Sequence, residues 1–228
     1  MYTICLVEDE EALASIVKLY LERAGYKTIC FTKGSEAIAY IGNKVDLWIL
    51  DIMLGDDVSG YNVIKAIREK DENVPVIFTS ARDQEIDKIF GLELGSDDYM
   101  TKPYSSKELV LRVNNIIKRV YGNNNQNTNV INYENYIINL DKRTVEQNNK
   151  NIKLTTLEFD LLVLLIKSKD KCFSREEIIN NVWGNDYFGT DRVVDDLVRR
   201  VRKKLPNIKI DAVYGYGYRL SWFSIRII

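Results

Sequence analysis

Residues 47–51 read Leu-Trp-Ile-Leu-Asp, an unbroken apolar run closed by a carboxylate. A short apolar run without alternation is the pattern of a strand buried on both faces, which is the situation in a parallel sheet covered by helices on each side. The pattern recurs at Tyr2–Val7, Thr28–Phe31, Val74–Thr79 and, briefly, Tyr99–Met100. Between these stretches Leu13, Ile16, Val17 and Tyr20, then Val63, Ile64 and Ile67, recur at helical spacing. Ser105-Ser106-Lys107-Glu108 has the form of a capping box, and Leu109, Val113 and Ile116 follow at helical positions. Five strands alternating with five helices predict a doubly wound α/β domain over residues 1–120, a parallel five-stranded (βα)5 sheet with right-handed crossovers. In such a sheet ligands bind at the carboxyl ends of the strands.

Those ends carry the chemistry. Glu8 and Asp9 close the first strand and Asp51 the third, so three carboxylates converge, a charge that a hard divalent cation such as magnesium (Mg²⁺) neutralises through oxygen ligands. Ser80 ends the fourth strand and Lys102 the fifth, adding a hydroxyl and an ammonium. Such a set suits the transfer and holding of a phosphoryl group.

The remaining sequence describes a second domain. The 228 residues are 46% apolar and 29% charged, an ordinary globular composition with room for two cores. Residues 1–121 hold 15 Lys and Arg against 20 Asp and Glu, whereas residues 122–228 hold 17 against 13. An acidic half followed by a basic one predicts two tasks, the second on a polyanion. Zero histidines exclude a Ser-His-Asp triad and any imidazole zinc site. The three cysteines, Cys5, Cys30 and Cys172, lie far apart beside apolar neighbours and read as free thiols of a reducing compartment. With acidic residues from Glu8 onward and no aliphatic run longer than Leu161–Ile166, neither a signal peptide nor a membrane span is expected, and the expected location is the cytoplasm.

Gly122 to Asn129 is polar low complexity and predicts a flexible linker over residues 121–130. Residues 131–228 then offer strand-like Tyr136–Leu140, Thr144–Glu146 and Ile152–Leu154, and capping boxes at Thr155–Glu158 and Ser174–Glu177. A helix from about Thr190 to Leu205 follows, then a hairpin around Val213–Arg219. In that helix Val194, Val198, Val201 and Leu205 form the stripe to be buried, and Arg192, Asp196, Arg199 and Lys203 the opposite face, with Arg200 and Arg202 flanking. A helix, a loop, a basic helix and a hairpin form a winged helix-turn-helix, an α+β domain whose second helix enters the major groove. The apolar tail Trp222–Ile228 is expected to add a final strand.

Leu-Val-Glu-Asp-Glu (6–10), Leu-Asp-Ile-Met-Leu (50–54), Thr-Ser-Ala-Arg (79–82) and Asp-Asp-Tyr-Met-Thr-Lys-Pro (97–103) resemble, in order, the receiver domain of two-component response regulators. The resemblance implies that Asp51 is the phosphoacceptor, that Asp9, Asp51 and the Met53 carbonyl ligate Mg²⁺ while Glu8 holds a metal-bound water, and that Lys102 pairs with the phosphoryl oxygens. It further implies that Ser80 and Tyr99 are switch residues and that a sensor histidine kinase donates the phosphoryl group. Gly55 departs from the family, which usually has proline there.

Leu-Thr-Thr-Leu-Glu-Phe-Asp-Leu-Leu (154–162), Ser-Arg-Glu-Glu-Ile (174–178), Val-Trp-Gly (182–184), Arg-Arg-Val-Arg-Lys-Lys-Leu (199–205) and Gly-Tyr-Gly-Tyr-Arg-Leu (215–220) resemble the winged-helix output domain of the OmpR/PhoB branch. That branch implies a transcription factor, not an enzyme, that binds tandem half-sites of double-stranded DNA and works with RNA polymerase. It also implies a homodimer on phosphorylation, pairing Lys88 with Glu108, Asp98 with Arg112 and Asp97 with Arg119. By position Arg200 and Asp196 are base-reading candidates, and Arg192, Arg199, Arg202 and Lys203 phosphate contacts. Asp196 can alternatively pair with Arg192 or Arg200 four residues away. Tyr214 stands where the family's wing commonly has arginine, with Tyr216 at the hairpin tip. Two rivals stay open: an aspartyl-phosphate phosphatase, which ordinarily needs a second Asp where Met53 stands, and a DNA binder indifferent to phosphorylation.

Overall fold

The structure, a computed structural model, describes residues 1–55, 57–81, 91, 93–122, 130–168, 170–184, 187 and 191–221. The chain divides into two compact units, residues 1–124 and 125–228.

In the first unit the elements run β1 (Thr3–Val7), α1 (Glu11–Arg23), β2 (Lys27–Phe31), α2 (Gly34–Tyr40), β3 (Leu47–Asp51), α3 (Gly60–Lys70), β4 (Val76–Ser80), β5 (Asp98–Thr101) and α4 (Ser106–Tyr121). The five strands pair in parallel in the order β2-β1-β3-β4-β5. Strand alternation sends Ile4, Leu6, Leu47, Ile49 and Ile77 against α1 and α4, and Cys5, Val7, Trp48, Leu50 and Phe78 against α2 and α3. Both faces are therefore buried, which is why these strands read as continuous apolar runs. Cys5 and Cys30 sit on adjacent strands but pack on opposite faces, and all three cysteines are free. The helix expected between β4 and β5 falls mainly on residues 82–90 and 92, outside the described residues, and so does Lys88.

The capping box expected at the start of α4 forms only in part. Ser105 Oγ accepts from the Lys107 amide at 3.3 Å, but Glu108 turns its carboxylate to Arg112 instead of closing the box. A bidentate guanidinium one turn along outcompetes a single exposed amide.

The second unit begins with an antiparallel sheet, β6 (Val130–Tyr133), β7 (Tyr136–Asn139), β8 (Thr144–Gln147) and β9 (Lys150–Ile152), paired in that order. Next come α5 (Thr156–Lys167), β10 (Phe173–Ser174), α6 (Arg175–Val182), α7 (Arg192–Lys204), β11 (Ile210–Val213) and β12 (Gly217–Leu220). The last three strands form an antiparallel sheet in the order β10-β12-β11. Both capping boxes close: the Thr155 amide donates to Glu158 Oε2 at 2.9 Å and the Ser174 amide to Glu177 Oε2 at 2.8 Å. The strand expected at Ile152–Leu154 ends at Ile152, because Leu154 is buried ahead of the Thr155 cap. Both ends of the expected linker belong to elements, Tyr121 to α4 and Val130 to β6; residues 123–129 and the tail at 222–228 lie outside the described residues. Among the described residues no helix is long and apolar enough to cross a membrane.

Candidate phosphoacceptor pocket and nucleic-acid interface

At the carboxyl edge of the parallel sheet, Glu8, Asp9 and Asp51 bring one oxygen each to within 4.8 Å of one another. Glu8 and Asp51 are buried and Asp9 is exposed, so the cluster opens on one side. Lys102 Nζ reaches between the buried pair, donating to Glu8 Oε1 at 2.7 Å and to Asp51 Oδ2 at 2.6 Å. Asp51 Oδ1 accepts from the Met53 amide at 2.9 Å, and the Met53 side chain is exposed. Burial pushes the Glu8 carboxyl up to about 7; Lys102 opposes the rise and the nearby Asp51 charge adds to it. Burial alone would lower the Lys102 ammonium, but the two carboxylates outweigh it and raise it. Ser80 is wholly buried at the end of β4, and its carbonyl accepts from the Lys102 amide at 2.7 Å. Tyr99 is buried with its ring edge-on to Phe78, centroids 6.5 Å apart. A Cβ built on Gly91 would lie 3.1 Å from both rings, so a glycine there lets Tyr99 lie inward.

The loop after β3 is held by close approach. A Cβ on Gly60 would lie 2.2 Å from the Asp51 carbonyl oxygen, so only glycine lets α3 start this near the strand end. Gly55 is packed less tightly, its Cβ position 3.2 Å from Asp9 Oδ2.

Asp97, just before β5, Asp98 at its start, and Glu108, Arg112 and Arg119 on α4 pair within the chain. Arg112 Nη1 donates to both oxygens of Asp98, at 3.0 and 2.8 Å, and its Nε and Nη2 donate to Glu108 Oε1 at 3.1 and 2.7 Å. Arg119 Nη2 lies 3.5 Å from Asp97 Oδ1, while Asp97 Oδ2 accepts from the Val76 amide at 2.9 Å. Burial raises the Asp98 carboxyl even with Arg112 opposing it, so this carboxylate depends on its guanidinium. Arg112→Ala leaves a charge on a side chain only 8% exposed, and we expect a loss of about 3 kcal/mol in urea denaturation of the intact chain. Asp98→Asn added to Arg112→Ala should recover most of it. A loss under about 1 kcal/mol would class the pair with surface ion pairs.

In the second unit Val194, Val198, Val201 and Leu205 are all fully buried, joined by Val193 and Leu197. The outer face of α7 carries exposed Arg192, Arg199 and Lys203. Asp196 pairs with Arg199, at 3.2 Å, rather than with Arg192 or Arg200. Arg200 is drawn back: its side chain is 11% exposed and its Nε lies 3.9 Å from buried Glu158, whose Oε2 also holds Lys204 Nζ at 2.8 Å. Arg202, expected on phosphate, donates through Nε and Nη2 to the Ile210 carbonyl at 3.1 and 2.5 Å and so grips strand β11. At the hairpin tip Tyr214 is fully exposed, while Tyr216, half-exposed, donates its hydroxyl to Glu177 Oε2 at 3.4 Å. The inward turn of Arg200, and the grip of the still exposed Arg202 on β11, were not legible from helical position alone, because their partners, Glu158 and the Ile210 carbonyl, come from other elements.

Comparison with known proteins covers both units. Residues 4–114 match the response regulator receiver domain, and residues 149–220 the C-terminal domain of transcriptional regulatory proteins. The chain is 50% identical over 221 residues to the transcriptional regulatory protein CssR of Bacillus subtilis, covering 96% of this chain and 98% of that one. It is 35% identical over 227 residues to the response regulator SaeR of Staphylococcus aureus, covering 97% and 99%. Among solved structures it resembles DrrB, a Thermotoga maritima OmpR/PhoB homologue, with a TM-score of 0.52 and 27% identity over 97% of this chain and 99% of that one. A carboxylate pocket on a parallel sheet, joined in one chain to a basic helix and a wing, thus has full-length relatives that are regulators of transcription, and the chain belongs to the OmpR/PhoB family of two-component response regulators.

Proposed function

We propose that Asp51 accepts a phosphoryl group from a partner sensor histidine kinase in the cytoplasm, and that this favours a homodimer which holds tandem half-sites of double-stranded DNA and works there with RNA polymerase. The observation that carries the reading is the convergence of Glu8, Asp51 and the Lys102 ammonium, at 2.7 and 2.6 Å, beside Asp9. An Asp51 oxygen attacks phosphorus, the phosphorus–nitrogen bond of the donor phosphohistidine breaks, and the imidazole leaves with its electron pair. Lys102 then exchanges a carboxylate for phosphoryl oxygens, and Ser80 and Tyr99 follow as the switch.

A metal suits this pocket. Glu8 Oε2 is buried with no hydrogen-bond partner among the described residues, and the side-chain donors are all carboxylate oxygens, a hard set matched to Mg²⁺. Asp9, Asp51 and the Met53 carbonyl would hold it, with Glu8 on a bound water. When bound it supplies positive charge against the incoming phosphoryl oxygens.

Dimerisation through β5 and α4 would re-use the pairs seen within one chain. Asp98–Arg112 and Asp97–Arg119 would re-form across the interface and Lys88 would meet Glu108. On DNA, Arg192, Arg199 and Lys203, exposed on the outer face of α7, would contact phosphates, and the exposed Arg202 would join them to the extent that it leaves the Ile210 carbonyl. Arg200 and Asp196 would read bases once released from Glu158 and Arg199, and Lys204 would stay behind on the Glu158 carboxylate. Tyr214 and Tyr216 would meet the backbone beside the wing.

The test is the intact protein with beryllofluoride and Mg²⁺, on an operator obtained by selection from random duplexes. Sedimentation should shift to a dimer at micromolar concentration, and operator affinity should tighten about 10-fold or more. If neither changes, the reading is wrong.

A further inference from the structure

We infer that Asp195 is a positioning residue that sets the angle between α7 and the β11–β12 hairpin, and hence the spacing at which helix and wing tip meet a duplex. The inference rests on the proposal above that this unit binds duplex DNA. Asp195 Oδ1 accepts from the Tyr218 hydroxyl at 2.8 Å and from Arg175 Nε at 2.8 Å, so one oxygen of α7 ties the first residue of α6 to β12. The Tyr218 ring is buried, with the Arg175 guanidinium 5.4 Å from its centroid and that of Arg202 5.7 Å away. Arg202 in turn holds the Ile210 carbonyl of β11, so both strands of the hairpin are fastened to α7.

The sheet alone would leave this angle loose. Among the described residues the hairpin's ladder to the rest of its sheet is two pairs long, Phe173 with Tyr218 and Ser174 with Gly217, extended by one long bond from the Arg175 amide to the Tyr216 carbonyl at 3.4 Å. Tyr214, fully exposed at the tip, has its place set by the tilt of the hairpin. An exposed ion pair such as Arg175–Asp195 adds little by itself. What gives it consequence is the buried phenol that shares the same oxygen. The charge of Asp195 is matched by Arg175, which suits a carboxylate that orients its neighbours better than one that must face phosphates.

The experiment uses the intact, beryllofluoride-treated protein and its selected operator. Tyr218→Phe keeps the ring and removes only the hydroxyl, so the fold survives. It should weaken operator binding about 5- to 20-fold. Tyr214→Ala should lose a comparable factor, and the double variant should bind within about twofold of Tyr214→Ala alone, because both act through the tip. In the DNA-free protein, the Arg175 amide, which donates to Tyr216 O at 3.4 Å, should exchange about 10-fold faster in Asp195→Asn and in Tyr218→Phe. The Val201 and Leu205 amides should keep their rates. Multiplying losses in the double variant, an unaffected Tyr218→Phe, an unaffected Tyr214→Ala or an unchanged Arg175 amide would each overturn the inference. If the wild type binds no duplex, the DNA reading fails instead, and amide exchange still decides whether Asp195 holds the wing.

Discussion

Asp51→Asn, treated with acetyl phosphate and Mg²⁺, should gain no phosphoryl mass, its rate falling at least about 10³-fold below wild type. The amide has nearly the same shape but lacks the oxygen charge that attacks phosphorus. Its folding should survive. Lys102 keeps Glu8 as a partner at 2.7 Å, and removing the Asp51 charge relieves one of the influences that push Glu8 up to about 7. A melting temperature within a few degrees of wild type is therefore expected, together with an operator affinity that no longer answers to acetyl phosphate. Mass spectrometry of intact protein and a mobility-shift titration measure the two effects. Wild-type labelling of the variant would move the acceptor to another carboxylate, with Glu8 and Asp9 the neighbouring candidates.

Gly60→Ala should damage both stability and chemistry. Its Cβ would sit 2.2 Å from the Asp51 carbonyl oxygen and 3.0 Å from the Ile52 Cα, and these are backbone atoms that cannot swing aside. The Gly60 amide also donates to the Ile52 carbonyl at 3.1 Å, so α3 cannot slide away without losing that bond. Overpacking against backbone should cost roughly 2–4 kcal/mol and lower the melting temperature by about 10 °C or more. What survives would carry a displaced Asp51, and phosphorylation should slow by about 10- to 100-fold. Gly55→Ala is the contrast, since its Cβ meets only a carboxylate oxygen at 3.2 Å. A Gly60→Ala protein as stable and as readily labelled as wild type would show that the β3–α3 junction yields without cost.

The parallel sheet was legible because burial on two faces leaves an unmistakable mark on residues such as Leu47–Leu50. The pocket was legible for a related reason: strand ends in a doubly wound sheet are neighbours, so Glu8, Asp51 and Lys102 could be placed together from their positions alone. Short elements could not be bounded from sequence, although the alternation implied a helix between β2 and β3. Helix α2, seven residues beginning at Gly34, and β6, beside a polar run, carry too little periodicity to stand out. Side-chain partners across elements escaped too. Asp195 and Asp196 look alike in sequence, yet one joins Tyr218 and Arg175 while the other pairs with Arg199. The capping box at Glu158 was readable, but not that its carboxylate also draws in Lys204 and Arg200 from α7.

On the DNA-binding reading proposed above, that shared carboxylate would also alter how the protein travels along a genome. Five of the six residues 199–204 are cationic, a density that would hold any duplex tightly and slow the search for a target. With Lys204 and Arg200 tethered to an anion behind the helix, the outward stripe carries fewer charges than its composition suggests. Encounters with random sequence would then release fewer counterions and end sooner, leaving more of the protein in transit between sites.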